Sequence, residues 1–126
     1  PNLPQVVVPM PLHKNRYASR KFNQSIELAK SICKLGQLEM DTSIIKRPKP
    51  TSAQTHLTAV QRRYNLRHAF EIDKAGQQRL KAYDHIAIFD DVITTGSTMN
   101  CAYRCINKHN PRLRIDVWSI CLTLVH

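Results

Sequence analysis

The chain has 126 residues, 42% of them hydrophobic, with only three glycines; that is enough for one domain with one core, residues 1–126, and excludes a disordered or fibrous polypeptide. Nineteen Lys and Arg against nine Asp and Glu give a formal charge of +10, a field that attracts DNA, RNA or a small polyphosphate. No apolar run approaches the ~20 residues of a membrane span, no secretory leader opens the chain, and four dispersed cysteines without a CxxC pair read as reduced thiols, so a cytoplasmic protein is expected.

Residues 5–8, QVVV, are β-branched and end at Pro9, which predicts a buried strand. A polar loop is expected over 9–24. Ile26, Ala29, Ile32 and Leu35, with Leu28 and Cys33 beside them, then repeat at helical spacing up to Gly36, a natural C-terminal stop. TSIIK at 42–46 reads as a second short strand. RPKPTSAQTHL at 47–57 reads as a loop, because two prolines and several turn formers oppose regular structure. Thr58 and Gln61 form a capping box that opens a short basic helix to about Asn65.

Farther along, AFEID at 69–73 predicts one edge of a hairpin with its turn near Gly76, and HIAIF at 85–89 a buried strand. A helix follows with Met99, Ala102, Tyr103 and Ile106 on one side, fading by Asn110-Pro111, and RIDVWSICLTLV at 114–125 is a long final strand. Strands alternating with helices indicate an α/β sheet with helices on its faces, whose ligands sit beyond the carboxyl ends of the strands. Cys101, Cys105 and His109 share helical spacing. Two small core residues and a surface histidine explain them better than a metal edge does.

The stretch IAIFDDVITTGSTMN at 86–100 lies at that edge. Val92, Ile93, Thr94, Thr95, Gly96, Ser97 and Thr98 lead into a helix N-terminus. Unpartnered N–H groups, a positive dipole end, a permissive glycine and several hydroxyls together suit a dianionic phosphate. Asp90 and Asp91 would repel a phosphate but accept hydrogen bonds from a vicinal diol. A diol one sugar ring from a phosphate is a ribose 5-phosphate. Taken alone, the two acids could simply form a turn, and Ser97 or Thr95 could simply cap the helix. The basic residues cluster as Lys14, Arg16, Arg20 and Lys21, then Lys46, Arg47 and Lys49, then Arg62, Arg63 and Arg67.

IAIFDDVITTGST resembles the 5-phosphoribosyl 1-diphosphate (PRPP) signature of the type I phosphoribosyltransferases. RPKPTSAQTHLTAVQRRYNLRHAF (47–70) and RKFNQSIELA (20–29) resemble the ComF/GntX family, the competence-protein branch of that fold. The resemblance implies a type I phosphoribosyltransferase-like fold, mostly parallel sheet flanked by helices. It also implies PRPP or another phosphorylated ribose as ligand, with Mg2+ held through the substrate and Asp90 and Asp91 as the candidate protein contacts. Asp90 and Asp91 take the catalytic role, residues 92–98 the 5-phosphate, and Arg20, Lys21, Arg47 and Lys49 the pyrophosphate. Thr51, Gln54, Arg62 and Asn65 fall on further family positions, as do Ala69 and Phe70. Two departures stand out: Lys21 replaces a usual glycine, and the family's cysteine-rich zinc-binding segment has no counterpart here, so either a fragment or a member lacking that module is expected.

The implied function is a pyrophosphate-releasing phosphoribosyltransferase serving DNA uptake or nucleotide salvage from imported DNA. The alternative is a non-catalytic PRPP sensor or a single-stranded-DNA-binding accessory protein, working beside a competence helicase. For the latter, only Tyr17, Phe22 and Tyr64 sit among the basic clusters to stack bases. The 47–57 loop is expected to be mobile and to close over PRPP, so that Arg47 and Lys49 meet pyrophosphate only in the closed state.

Overall fold

A computed structural model describes residues 3–11, 16–47, 58–61, 64, 68–93 and 96–122, with backbone only at 16–25, 91–93, 97, 121 and 122. The named elements are β1 (Val6–Pro9), α1 (Arg16–Gly36), β2 (Glu39–Met40), α2 (Lys74–Lys81), β3 (His85–Ile93), α3 (Ser97–His109) and β4 (Arg114–Leu122). The four strands form one parallel sheet in the order β2-β1-β3-β4. This is the α/β, type I phosphoribosyltransferase-like architecture expected from the sequence.

Parallel strands covered on both faces must be apolar at successive positions. VVV in β1 and IAIF in β3 meet that demand, and all seven side chains are buried. Val6, Val8, Met10, Ile86 and Ile88 pack on one face with Leu80 of α2 and Met99, Ala102 and Ile106 of α3. Val7 and Phe89 pack on the other face with Ala29 and Cys33 of α1. Helices therefore cover opposite faces.

Chain order explains that arrangement. From β1 the chain crosses over α1 to β2 on one side of β1, whereas β3 and β4 are laid down on the other side. The direction of winding reverses between β1 and β3, and a crevice opens at the carboxyl ends of strands flanking such a reversal.

Three expectations change. α1 begins at Arg16, so the stretch read as a polar loop is helical from there. In the sequence, Ala18, Phe22 and Ile26 are four residues apart, a helical period hidden among polar neighbours. Second, β2 is Glu39–Met40 rather than 42–46. Asp41 ends it: its Oδ1 accepts from the Ser43 backbone N–H at 2.8 Å and the Ser43 hydroxyl at 2.7 Å, bending the chain away. Ile44 and Ile45 still bury fully, and Lys46 makes an isolated antiparallel bridge to Glu71.

Third, no hairpin turns at Gly76. Asp73 caps α2, accepting from the Gly76 N–H at 2.8 Å, and the glycine is buried inside the helix. α1 does stop at Gly36, as expected, and the left-handed residue after it is Gln37 (φ 55°). The Leu38 N–H reaches the Cys33 carbonyl at 2.8 Å, the bond expected when a helix closes through one such residue.

Other expectations hold. The Thr58–Gln61 capping box forms reciprocally, at 2.8 and 3.1 Å. α3 stops at His109, and β4 follows at Arg114. Of the helical side expected in α3, Met99, Ala102 and Ile106 bury, while Tyr103 is exposed. No helix among the described residues is long and apolar enough to cross a membrane.

Candidate ligand site at the carboxyl edge of the sheet

β1 keeps register with β3 only to Pro9 opposite Phe89, whereas β3 and β4 stay paired to Ile93 opposite Leu122. β3 therefore projects beyond β1. Asp90 is the first β3 residue past the β1 register, and it is half-buried. Asp90 and Asp91 are consecutive strand residues, which removes the reading of this pair as a turn. Because strand side chains alternate, Asp90 follows Ile86 and Ile88 onto the α2/α3 face of the sheet.

Beyond the end of β1, the Met10 N–H still reaches the Phe89 carbonyl at 2.8 Å. Arg47 enters here. Its Nε donates to the Pro11 carbonyl at 3.1 Å, and its Cζ lies 4.9 Å from the centroid of the Phe70 ring. Burial pulls the Arg47 guanidinium below its usual pKa, and the Asp90 charge pushes it back up. The Asp90 charge is thus felt at Arg47, near the strand ends where the winding reverses.

The third side of the site is the start of α3. Gly96 precedes it in the left-handed region, φ 79° and ψ −8°. A Cβ there would meet nothing within 4 Å, so the backbone angle, not crowding, favours glycine. The Gly96 carbonyl accepts the first helical bond, from the Asn100 N–H at 2.8 Å. The N–H groups of the first turn point out of the helix end without intrahelical acceptors.

Arg47, Asp90 and Gly96 are therefore gathered around one edge, and Thr98 sits half-buried in the first turn of α3. Asp91, Val92 and Ile93 continue β3, and Ser97 opens α3. Arg20 and Lys21 lie within α1 rather than in a loop. Thr94, Thr95, Lys49, Thr51, Gln54, Arg62 and Asn65 lie outside the described residues, as does the 47–57 loop apart from Arg47. Arg47 itself is docked on the Pro11 carbonyl and the Phe70 ring in this conformation.

Sequence reasoning missed the Pro11 carbonyl and the Phe70 ring as Arg47 partners. A signal existed: Lys46 pairs antiparallel with Glu71, which sets residue 47 opposite residue 70, but that bridge joins segments 25 residues apart. Cys105 proves structural. It is half-buried, its thiol donates to the Phe70 carbonyl at 3.7 Å, and burial raises its pKa. Cys101 packs against the same core and His109 is exposed; no group of three potential metal ligands occurs among the described residues.

The chain is 34% identical over 122 residues to DNA utilization protein YhgH of Escherichia coli O157:H7, covering 97% of this chain and 51% of that protein. It is 35% identical over 118 residues to Competence protein F of Haemophilus influenzae, covering 94% and 50% respectively. Over most of its length the chain has relatives of the ComF family. It spans about half the length of these curated relatives. The chain is also 33% identical over 54 residues to Adenine phosphoribosyltransferase of Prochlorococcus marinus, covering 43% of this chain and 32% of that enzyme. No family model matches it.

Proposed function

We propose that this chain binds PRPP at the carboxyl edge of its sheet and serves as a phosphoribosyltransferase-type domain in DNA uptake or in the use of imported DNA. The observation that carries the reading is Asp90 at the projecting end of β3, within the electrostatic reach of Arg47, on the strand that leads to a helix opened by a left-handed glycine. The names and identities of the relatives support the DNA-related role, and the partial likeness to an adenine phosphoribosyltransferase supports the chemistry.

In this reading the first turn of α3 and the preceding 92–98 segment take the 5-phosphate. Asp90 accepts hydrogen bonds from ribose hydroxyls, with Asp91 as its neighbour in the strand. Arg47 faces the pyrophosphate. Transfer breaks the bond from the anomeric carbon to the pyrophosphate oxygen. Pyrophosphate leaves with the electron pair, a nucleophile on the acceptor takes its place, and the acceptor's proton passes to solvent. Positive charge grows on the ribose ring as the bond stretches, and the nearby Asp90 carboxylate offsets it. Mg2+ supplies charge neutralisation on the pyrophosphate oxygens. A carboxylate such as Asp90, together with substrate oxygens and water, is a donor set that suits this hard cation.

Calorimetric titration with PRPP and Mg2+ tests the reading, followed by pyrophosphate release in the presence of candidate bases. Saturable binding that is lost in Asp90→Asn supports it. Absence of PRPP binding to the folded protein rejects it.

A second reading, single-stranded DNA binding, draws on a different surface. Arg104, Lys108 and Arg112 are exposed, four residues apart, and form no ion pair with a described carboxylate. Exposed Tyr103 adjoins them. Elsewhere, His68 stacks on exposed Tyr64 with centroids 4.1 Å apart. Cations beside exposed rings suit a strand of phosphates and bases. Binding whose affinity falls steeply with salt would favour this reading.

A further inference from the structure

We propose that Phe70 is a positioning residue: with the Pro11 carbonyl, its ring holds the Arg47 guanidinium as a fixed cation at the carboxyl edge of the sheet before any ligand arrives. The inference rests on the PRPP reading for its ligand, but the clamp itself is a property of the free protein.

The backbone on both sides of the contact is anchored. Ile44 and Ile45 are fully buried just upstream of Arg47. Lys46 and Glu71 exchange backbone hydrogen bonds at 2.9 and 2.8 Å. The Lys46 Nζ lies 2.6 Å from Asp73 Oδ2, the carboxylate that also caps α2. Phe70 is only 7% exposed and belongs to the core cluster of the α2/α3 face. Its carbonyl takes the Cys105 thiol at 3.7 Å. The ring is thus a wall of the core, and the guanidinium lies over that wall.

A guanidinium carries five N–H donors in a planar fork. Arg47 spends one of them, at Nε, on Pro11. The Nη groups carry the remaining four donors of the fork. A half-buried cation is destabilised by lost hydration, and Asp90 offsets only part of that. A ligand with an added pyrophosphate completes the neutralisation, so the clamp favours PRPP over ribose 5-phosphate. Without the ring, the long Arg47 side chain is free to rotate, and binding must order it again.

The test uses the ligand-free protein and two ligands. In 15N spectra the Nε–H resonance of Arg47, assigned by its absence in Arg47→Lys, should be protected from solvent exchange in the parent protein. It should lose protection in Phe70→Leu and keep it in Phe70→Tyr, which retains a ring face. In titrations, Phe70→Leu should lose about tenfold in PRPP affinity and little in ribose 5-phosphate affinity, and Phe70→Tyr should recover most of the loss. If Phe70→Leu fails to fold, Phe70→Met makes the same comparison with a more adaptable side chain. Retained protection in the ringless variant overturns the clamp. Equal loss toward both ligands, or no recovery with tyrosine, reduces Phe70 to a core residue. If the parent protein binds no PRPP, the functional reading falls, and the Nε–H resonance still decides the clamp.

Discussion

Gly76 of α2 lies so close to Ile44 that a Cβ on the glycine would stand 2.8 Å from the Ile44 carbonyl oxygen and 3.0 Å from Ile72 Cγ2. The helix is thereby seated directly on the segment that delivers Arg47. Alanine is the better helix former by about 1 kcal/mol, but here it must displace backbone. Gly76→Ala should destabilise the protein by a net of about 1–3 kcal/mol, the range of an overpacked core. Urea denaturation checks this; unchanged or increased stability would show that α2 moves freely on its bed.

Gln37 bears the positive φ that closes α1. A non-glycine residue in this region is strained by roughly 1–2 kcal/mol, of which glycine's greater freedom in the unfolded chain returns part. Gln37→Gly should stabilise by about 0.5–1 kcal/mol and raise the melting temperature. A lower melting temperature would mean that the Gln37 side chain makes a contact worth more than the strain.

Asp41 and Asp73 set an acid limit. Burial opposes the charge of Asp41, but hydrogen bonds from Ser43 and the adjacent Arg79, whose Nε lies 2.8 Å away, outweigh it and hold the carboxyl below its usual 3.8. Asp73 is held below the same value chiefly by its bond from Lys46, then by the Gly76 N–H. Both folded pKa values are depressed, so the unfolded chain takes up protons first as pH falls. Their stabilisation is fully present above the unfolded value of 3.8 and is lost as pH drops through the lower folded values. Urea melts from about pH 6 down to pH 2 should show stability falling below about pH 4. Asp41→Asn should flatten that fall, and an unchanged slope would remove Asp41 from the account.

Much of this fold was legible locally. β1 and β3 announce themselves as buried parallel strands because nothing but apolar side chains fits between two helix layers. The Thr58–Gln61 box was legible because both of its bonds lie within one turn. Gly76 misled because its reason is a neighbour 32 residues away, Ile44, and a glycine in isolation reads as a turn. Asp73 followed by Lys74, Ala75, Gln77 and Gln78 carried the helix signal that the glycine masked. Of the site, Asp90 and Gly96 were legible from their motif. The docking of Arg47 was not, because it depends on the Lys46–Glu71 bridge and on a strand order that no local pattern records.

Asp90 now carries a structural duty as well. Two neighbouring acids repel, and on that ground alone their removal would raise the melting temperature. Arg47 reverses the expectation, since Asp90→Asn leaves a half-buried cation with less compensation. The variant should lose about 1 kcal/mol of stability, well short of a fully buried pair because both groups retain solvent. Thermal melts at low and high salt check the sign; a raised melting temperature would mean that Asp91 dominates the local field.

The most direct test of the central claim is a calorimetric comparison of PRPP and ribose 5-phosphate, with Mg2+, on the parent protein, Asp90→Asn and Gly96→Ala. The account predicts one saturable PRPP site per chain, tighter than that for ribose 5-phosphate. Asp90→Asn should weaken both ligands about tenfold or more through the lost diol contacts. Gly96→Ala should weaken both as well, because alanine resists φ 79° although it has room. A folded parent protein that binds neither ligand, or PRPP affinity untouched by Asp90→Asn, would contradict the placement of a phosphorylated ribose at this edge.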